Sequence, residues 1–137
     1  MATITKEFLI AANPDAVWDA LRDFHAVHER VAPGFLTGAT REGDDRILTF
    51  FNGVVARERL AGRDDATRRI AYTIVGGRFD YHHASAQVFP HERGSRVVWI
   101  SDILPDTMAE SSSAMMDRDS EVMIRTLTAD AGFGTGS

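Results

Sequence analysis

The chain has 137 residues, 44% of them apolar and 26% charged, which is the composition of a folded one-domain protein and excludes a disordered chain. It contains no cysteine, so disulfides, thiolate nucleophiles and cysteine-ligated zinc or iron–sulfur sites are excluded as well. The formal net charge is −5 and the 15 basic residues form no dense run, so we expect no nucleic-acid partner.

The first part of the chain predicts a strand and two short helices. Residues 3–11 place apolar side chains at nearly every second position, as a half-buried strand does. Asn13 is a favourable N-cap and Pro14 fits the first helical turn, so one helix begins there, and a second is expected over about residues 26–31. Residues 1–7 lack the features of a secretory signal and no apolar run could span a membrane, so we expect a soluble, cytoplasmic protein.

Residues 35–103 predict six further strands. Short segments rich in Val, Ile, Thr, Phe and Tyr alternate there with turn signals that contain Gly, Asn and Asp. The strongest signal is Asn52-Gly53, which predicts a two-residue hairpin turn because both central positions of such a turn need a positive φ. Together with the first strand, these segments predict a seven-stranded antiparallel sheet.

After Pro105 the apolar period becomes 3.6 residues, which predicts one long helix over about residues 106–131. Four of the five methionines lie on it, and their adaptable side chains suit either core packing or the wall of a binding pocket. The Gly-rich segment 132–137 is predicted to be a flexible tail. The fold class is therefore α+β, in which a long curled sheet covers its apolar face with this helix and can enclose a pocket.

Several local sequences resemble the START-like helix-grip (SRPBCC) superfamily. Residues 13–18 are similar to the beginning of its first helix, and residues 95–105 with the Met-rich helix resemble its bacterial polyketide cyclase/dehydrase-type members. Residues 52–77 are similar to the gate, Glu-Arg-Leu strand and Gly-Gly turn of plant abscisic-acid receptors, but Val54-Val55 replace the receptors' Leu-Pro. The resemblance implies one ligand-binding domain over residues 1–137, in a bacterial relative with another ligand rather than in a hormone receptor.

Strand alternation predicts which side chains face the pocket. Three strands contribute two inward side chains each, which are Glu58, Leu60, Tyr72, Ile74, His82 and Ala84. Phe79 and Met116 are further candidates, as an aromatic and a methionine lining residue.

The inward face of residues 96–103 is not decided by alternation, because both faces carry apolar residues. Resemblance to the hormone receptors favours the face with Ile100 and Asp102. Trp99 would then lie on the outer surface or at a subunit contact, which makes a homodimer plausible.

An inward carboxylate and an inward imidazole, Glu58 and His82, are the sharpest chemical feature of the sequence. A buried Glu needs a partner, and a His can exchange a proton near neutral pH. We expect the chain to bind a small, largely apolar molecule, polyketide-, lipid- or aromatic-like, with these groups in structural or ligand-orienting roles. The alternative is a cyclase- or dehydratase-type enzyme in which His82 acts as general acid or base with Glu58 or Asp102 as its partner.

We expect neither a cofactor nor a metal ion. A nicotinamide or flavin site would need a Gly-rich phosphate motif after a strand, whereas Gly76-Gly77 stands alone and indicates a turn. His82 and His83 are neighbours in a predicted strand, so their side chains point to opposite faces and cannot easily chelate one ion. A third class, an interaction domain that works through surface grooves, would have a filled core instead of a pocket.

Overall fold

The computed structural model describes the backbone of residues 1–135 and the side chains of residues 1–129. It contains seven strands: β1 (Ala2–Ile10), β2 (Leu36–Glu42), β3 (Asp45–Phe50), β4 (Val55–Asp64), β5 (Arg69–Ile74), β6 (Tyr81–His91) and β7 (Gly94–Leu104). Three α-helices accompany them: α1 (Pro14–Leu21), α2 (Val27–Arg30) and α3 (Ala109–Thr135). The α+β class, the seven strands and the two short helices after the first strand are all confirmed.

The strands form one antiparallel sheet in the order β1-β7-β6-β5-β4-β3-β2. Strands β2 to β7 are a meander in which each strand pairs with the next one along the chain, and β1 adds to the free edge of β7. The concave face of the sheet therefore has room for α3, which packs against β1 and the neighbouring strands.

The N-terminus of α1 forms as its sequence predicts. The side-chain oxygen of Asn13 accepts a hydrogen bond from the backbone N–H of Asp15 at 2.8 Å, and Pro14 is the first helical residue. Val17 on α1 and Phe24 just after it are each 1% exposed and join the main hydrophobic core. This core is continuous with the wall of the cavity described below, because Ile70, Trp99 and Met116 belong to both.

Helix α3 begins three residues later than the predicted Asp106, after a 3-10 turn, and continues to Thr135. Lys6 on β1 ties it to the sheet, because its Nζ lies 2.7 Å from a carboxylate oxygen of Asp117 and donates to Ser113 Oγ at 2.8 Å. Flexibility of residues 132–137 stays a prediction, since the backbone of 132–135 continues the helix and residues 136 and 137 lie outside the described residues. None of the described helices is long and apolar enough to cross a membrane.

The loop between β3 and β4 differs from the predicted two-residue turn. Gly53 has a φ of 86°, but Asn52 does not adopt a positive φ. Instead the Asn52 side-chain oxygen accepts from the Val54 N–H at 3.1 Å, and the Phe50 N–H donates to the Val54 carbonyl at 2.8 Å. The longer loop leaves the side chain of Val54 45% exposed beside the cavity.

Strand β7 turns the opposite face inward from the one predicted. Trp99 is 8% exposed and Ser101 is 4% exposed, whereas Asp102 points outward and accepts a hydrogen bond from Thr3 Oγ1 at 2.6 Å. The prediction that Ile100 and Asp102 face the pocket is therefore wrong. The cross-strand register gives the physical reason, because Trp99 lies opposite Ala86, whose small side chain leaves room for the indole ring. A homodimer stays a prediction, but it loses the exposed Trp99 on which it was based.

Candidate functional site

A cavity of about 730 Å³ lies between the concave face of the sheet, α2 and the N-terminal half of α3. Its wall is mainly apolar and includes aromatic, aliphatic and methionine side chains, among them Phe35, Leu48, Ile70 and Met115. This volume is in the range of sites that hold small molecules.

Two loops form the mouth of the cavity. One is the β3–β4 loop, which contributes Asn52 and Val54, and the other is the β5–β6 loop, which contributes Gly77, Arg78 and Phe79. These are the two segments in which the sequence is similar to the gate and the Gly-Gly turn of the hormone receptors. The similarity therefore lies in two loops that line the cavity.

Six of the ten predicted ligand-binding residues line the cavity, namely Glu58, Tyr72, Ile74, Phe79, His82 and Met116. Leu60 packs against the main hydrophobic core and Ala84 is buried in the sheet, so neither side chain reaches the cavity wall. Ile100 and Asp102 lie on the outer face of β7 and are not part of the wall either.

Glu58 forms an ion pair with Arg46, a residue that the sequence analysis did not single out. The two residues are direct neighbours across β3 and β4, and one oxygen of Glu58 lies 2.6 Å from Nη2 and 2.9 Å from Nε of Arg46. Nη1 of Arg46 donates to the carbonyl of Phe24 at 2.9 Å, and its guanidinium lies 3.9 Å from the centroid of the Phe24 ring. Both charged side chains are buried at the cavity wall, where each satisfies the other.

Asp119 adds a second carboxyl group to the same part of the wall. Its Oδ1 is buried and has no hydrogen-bond partner among the described residues. The pKa of Asp119 is raised to about 7, first by burial and then by the negative charge of Glu58, while the positive charge of Arg46 opposes both effects. Near neutral pH this carboxyl group is therefore present in both its protonated and its ionised form.

His82 is held as a neutral ring. Its Nδ1 accepts a hydrogen bond from the backbone N–H of Ile74 at 3.0 Å, so the ring proton is on Nε2. Burial lowers the pKa of His82 to about 4, helped by the nearby His83. Proton exchange between His82 and Glu58 was predicted, but Glu58 is bonded to Arg46 and His82 to the Ile74 N–H. No direct contact between His82 and Glu58 supports the prediction among the described residues.

Tyr72 and Trp99 form a further polar contact in the wall. The indole N–H of Trp99 donates to the Tyr72 hydroxyl at 3.1 Å, which satisfies the buried indole group. Burial raises the pKa of the Tyr72 hydroxyl above its ordinary value, so it stays a neutral phenol.

The sequence contains signals for Asp119 and Arg46, two cavity residues that were not predicted. Asp119 is three residues after Met116 and four before Met123, so helical spacing places it on the methionine face of α3. Arg46 and Leu48 share one face of β3 by alternation. In both cases a charged residue on an apolar face was the signal.

In the described part of the chain, no group of three or more His, Asp or Glu side chains could hold a metal ion. The polar groups of the cavity wall include an ion pair, a neutral imidazole, a phenol and a carboxyl oxygen without a partner, besides Asn52, Arg57, Arg78 and three serines. This set can orient the polar end of a bound molecule.

A curved antiparallel sheet closed by a long helix over a cavity defines a protein of the START-like helix-grip class. The sequence model of the family described as "Polyketide cyclase / dehydrase and lipid transport" matches residues 1–131, and the chain belongs to this family. This membership confirms the resemblance that the local sequences indicate.

Solved structures of the same fold come from several bacteria. A protein of Thermobifida fusca, whose structure was determined by NMR in solution, is 31% identical, with a TM-score of 0.71 over 96% of this chain and 94% of that one. XoxI of Bacillus cereus has a TM-score of 0.80 at 20% identity, covering 96% of both chains. TTHA0849 of Thermus thermophilus has a TM-score of 0.70 at 19% identity, covering 99% of this chain and 100% of that one. No functionally curated protein matches the chain significantly.

Proposed function

We propose that the chain, acting as one domain over residues 1–137, binds a small, largely apolar molecule in the cavity between the sheet and α3. The observation that carries this proposal is a cavity of about 730 Å³ with a mainly apolar wall. Protein interiors are normally packed as densely as organic crystals and leave few voids larger than a water molecule. A space of this size beside a well-packed core is expected to have an occupant.

Family membership supports the same function. The description of the family names cyclases, dehydrases and lipid transport, which all involve molecules with a large apolar part. A polyketide-, lipid- or aromatic-like ligand agrees with that description and with the methionine side chains Met115, Met116 and Met123 in the wall, which adapt to varied apolar shapes.

The polar groups favour binding over the predicted acid–base chemistry. In that alternative His82 works with Glu58 or Asp102, but Asp102 lies on the outer face of β7 and Glu58 is bonded to Arg46. The low pKa of His82 leaves almost none of the protonated form that a general acid needs at neutral pH, and its acceptor nitrogen Nδ1 is already bonded to the Ile74 N–H, which disfavours a role as base. Orientation of a ligand requires only the hydrogen bonds that these groups already offer.

The test is a fluorescence titration with N-phenyl-1-naphthylamine, a neutral apolar fluorophore. Ala56 lies in the cavity wall on β4, and Ala61 is an exposed residue of the same strand. We expect saturable binding of one molecule by the wild type and by Ala61→Trp. Ala56→Trp should bind at least about tenfold more weakly, because the indole ring fills space that the ligand needs.

Thermal unfolding of all three proteins provides the control for folding. The proposal is wrong if the wild type shows no saturable binding. It is equally wrong if a folded Ala56→Trp variant binds the fluorophore as tightly as Ala61→Trp does.

A further inference from the structure

The carboxyl group of Asp119 lacks a partner in a place where partners are normally found. Buried polar atoms are almost always hydrogen-bonded in folded proteins, and an unpaired one is costly. Oδ1 of Asp119 is buried, has no partner among the described residues and belongs to the cavity wall. A molecule in the cavity can supply the missing hydrogen bond.

The charges around Asp119 restrict what that molecule can be. The guanidinium of Arg46 is already neutralised by Glu58, and its bonded nitrogens go to Glu58 and to the Phe24 carbonyl. Beside Asp119, a ligand carboxylate would be the third acidic group next to Arg46, and like charges at short range repel strongly in a buried site. Of the other arginines in the wall, Arg57 is bonded to Asp45 and Glu42, and Arg78 is an exposed residue of the β5–β6 loop. A hydroxyl group can donate its proton to Oδ1 without adding any charge.

We propose that Asp119 anchors the polar end of the bound molecule, and that the cavity therefore selects molecules whose polar end donates a hydrogen bond, such as a hydroxyl or enol group, over molecules that end in a carboxylate. This inference rests on the proposed binding function and specifies its ligand class. It excludes fatty acids as the preferred ligands and favours alcohols and phenols of similar size.

The selection depends on pH through the groups that face Asp119. These are Glu58 on β4, Arg46 on β3 and the Tyr72 phenol on β5. The other titratable or charged side chains of the wall are His82, which stays neutral, and Arg57 and Arg78, which stay charged near neutral pH. Above pH 7 the ionised Asp119 is an acceptor and repels a carboxylate. Below pH 7 its protonated form can donate to a carboxylate, so the discrimination should weaken.

The experiment compares two probes of equal chain length, dodecanol and dodecanoate, as competitors of bound N-phenyl-1-naphthylamine. The quantity measured is the ratio of their two dissociation constants at pH 8 and pH 6. The proteins are the wild type, Asp119→Asn and Glu121→Gln, the last of which removes an exposed carboxylate from the same helix.

We expect the preference for dodecanol to fall by about tenfold in Asp119→Asn at pH 8, which is the effect of one hydrogen bond to a charged group. In the wild type, the preference for dodecanol should also fall when the pH is lowered from 8 to 6. Glu121→Gln should behave as the wild type does.

Two other outcomes are distinguishable. If every protein binds the fluorophore but the ratio is the same in the wild type and Asp119→Asn, the inference is wrong and the binding function stands. If the wild type does not bind the fluorophore, the binding function and the inference about Asp119 are both wrong. Thermal unfolding and the far-UV circular dichroism spectrum show whether the Asp119→Asn variant is folded, independently of its affinity for the fluorophore.

Discussion

For single residues of the cavity, burial shifts pKa values in opposite directions, depending on whether the group is an acid or a base. Burial raises the pKa of the carboxyl group of Asp119, and burial lowers the pKa of the imidazole of His82. Both shifts favour the uncharged form, since a charge is expensive to remove from water. Arg46 and Glu58 are also buried in this wall, and each lies within 2.6 Å of the other as its partner.

The raised pKa of Asp119 makes a prediction about stability. A carboxyl group whose pKa is higher in the folded state binds its proton more tightly there, so folding free energy is lost as the pH rises from 3.8 to about 7, and the loss is complete above pH 7. Asp119→Asn should therefore raise the free energy of unfolding at pH 8 by about 2–4 kcal/mol. The gain should shrink as the pH falls from 7 towards the ordinary value of 3.8, where the wild-type group is protonated in both states.

Urea denaturation across this pH range measures the effect, and Glu121→Gln is the matched control on the exposed side of α3. The difference between wild type and variant isolates Asp119 from His82, whose lowered pKa reduces stability as the pH falls below 6.5. A gain that is independent of pH, or one that Glu121→Gln reproduces, would refute the assignment.

At the scale of elements, β3 and β4 are joined by a buried ion pair as well as by backbone hydrogen bonds. Arg46→Met should lower the free energy of unfolding by about 3 kcal/mol, because it leaves the Glu58 carboxylate buried without a partner. The double variant Arg46→Met with Glu58→Leu should recover most of this loss, since it buries no charge.

Denaturant unfolding of the two variants tests this account, with Arg41→Met on β2 as control. Arg41 and Asp44 form an exposed pair at 3.2 Å, and such a pair contributes about 1 kcal/mol at most. The account fails if Arg46→Met costs no more than Arg41→Met, or if the double variant is as unstable as the single one.

Strand β7 shows where sequence reasoning about elements stops. Apolar residues alternate on both of its faces, so the period of two cannot tell Trp99 from Ile100. The face is decided by contacts across the sheet, where Trp99 lies opposite Ala86 and donates to the hydroxyl of Tyr72. Those contacts depend on register, which the sequence of one strand does not contain.

At the scale of the whole molecule, the fold was predictable and the polar arrangement of the cavity was only partly so. Turn signals, alternation and one long helical period were sufficient to predict seven strands, two short helices and α3 in the correct order. The inward positions of Glu58 and His82 followed from alternation. Their partners did not, because Arg46 and the Ile74 N–H reach them from neighbouring strands.

The measurement that tests the cavity-binding claim most directly is a titration of the methionine methyl groups by NMR. Four of the five methionines line the cavity, whereas Met1 is 64% exposed outside it and serves as an internal control. With N-phenyl-1-naphthylamine added, the account predicts saturable shifts of the methyl signals of Met108, Met115, Met116 and Met123, with the Met1 signal unchanged. Unchanged signals from all four cavity methionines, or a response confined to Met1, would contradict it.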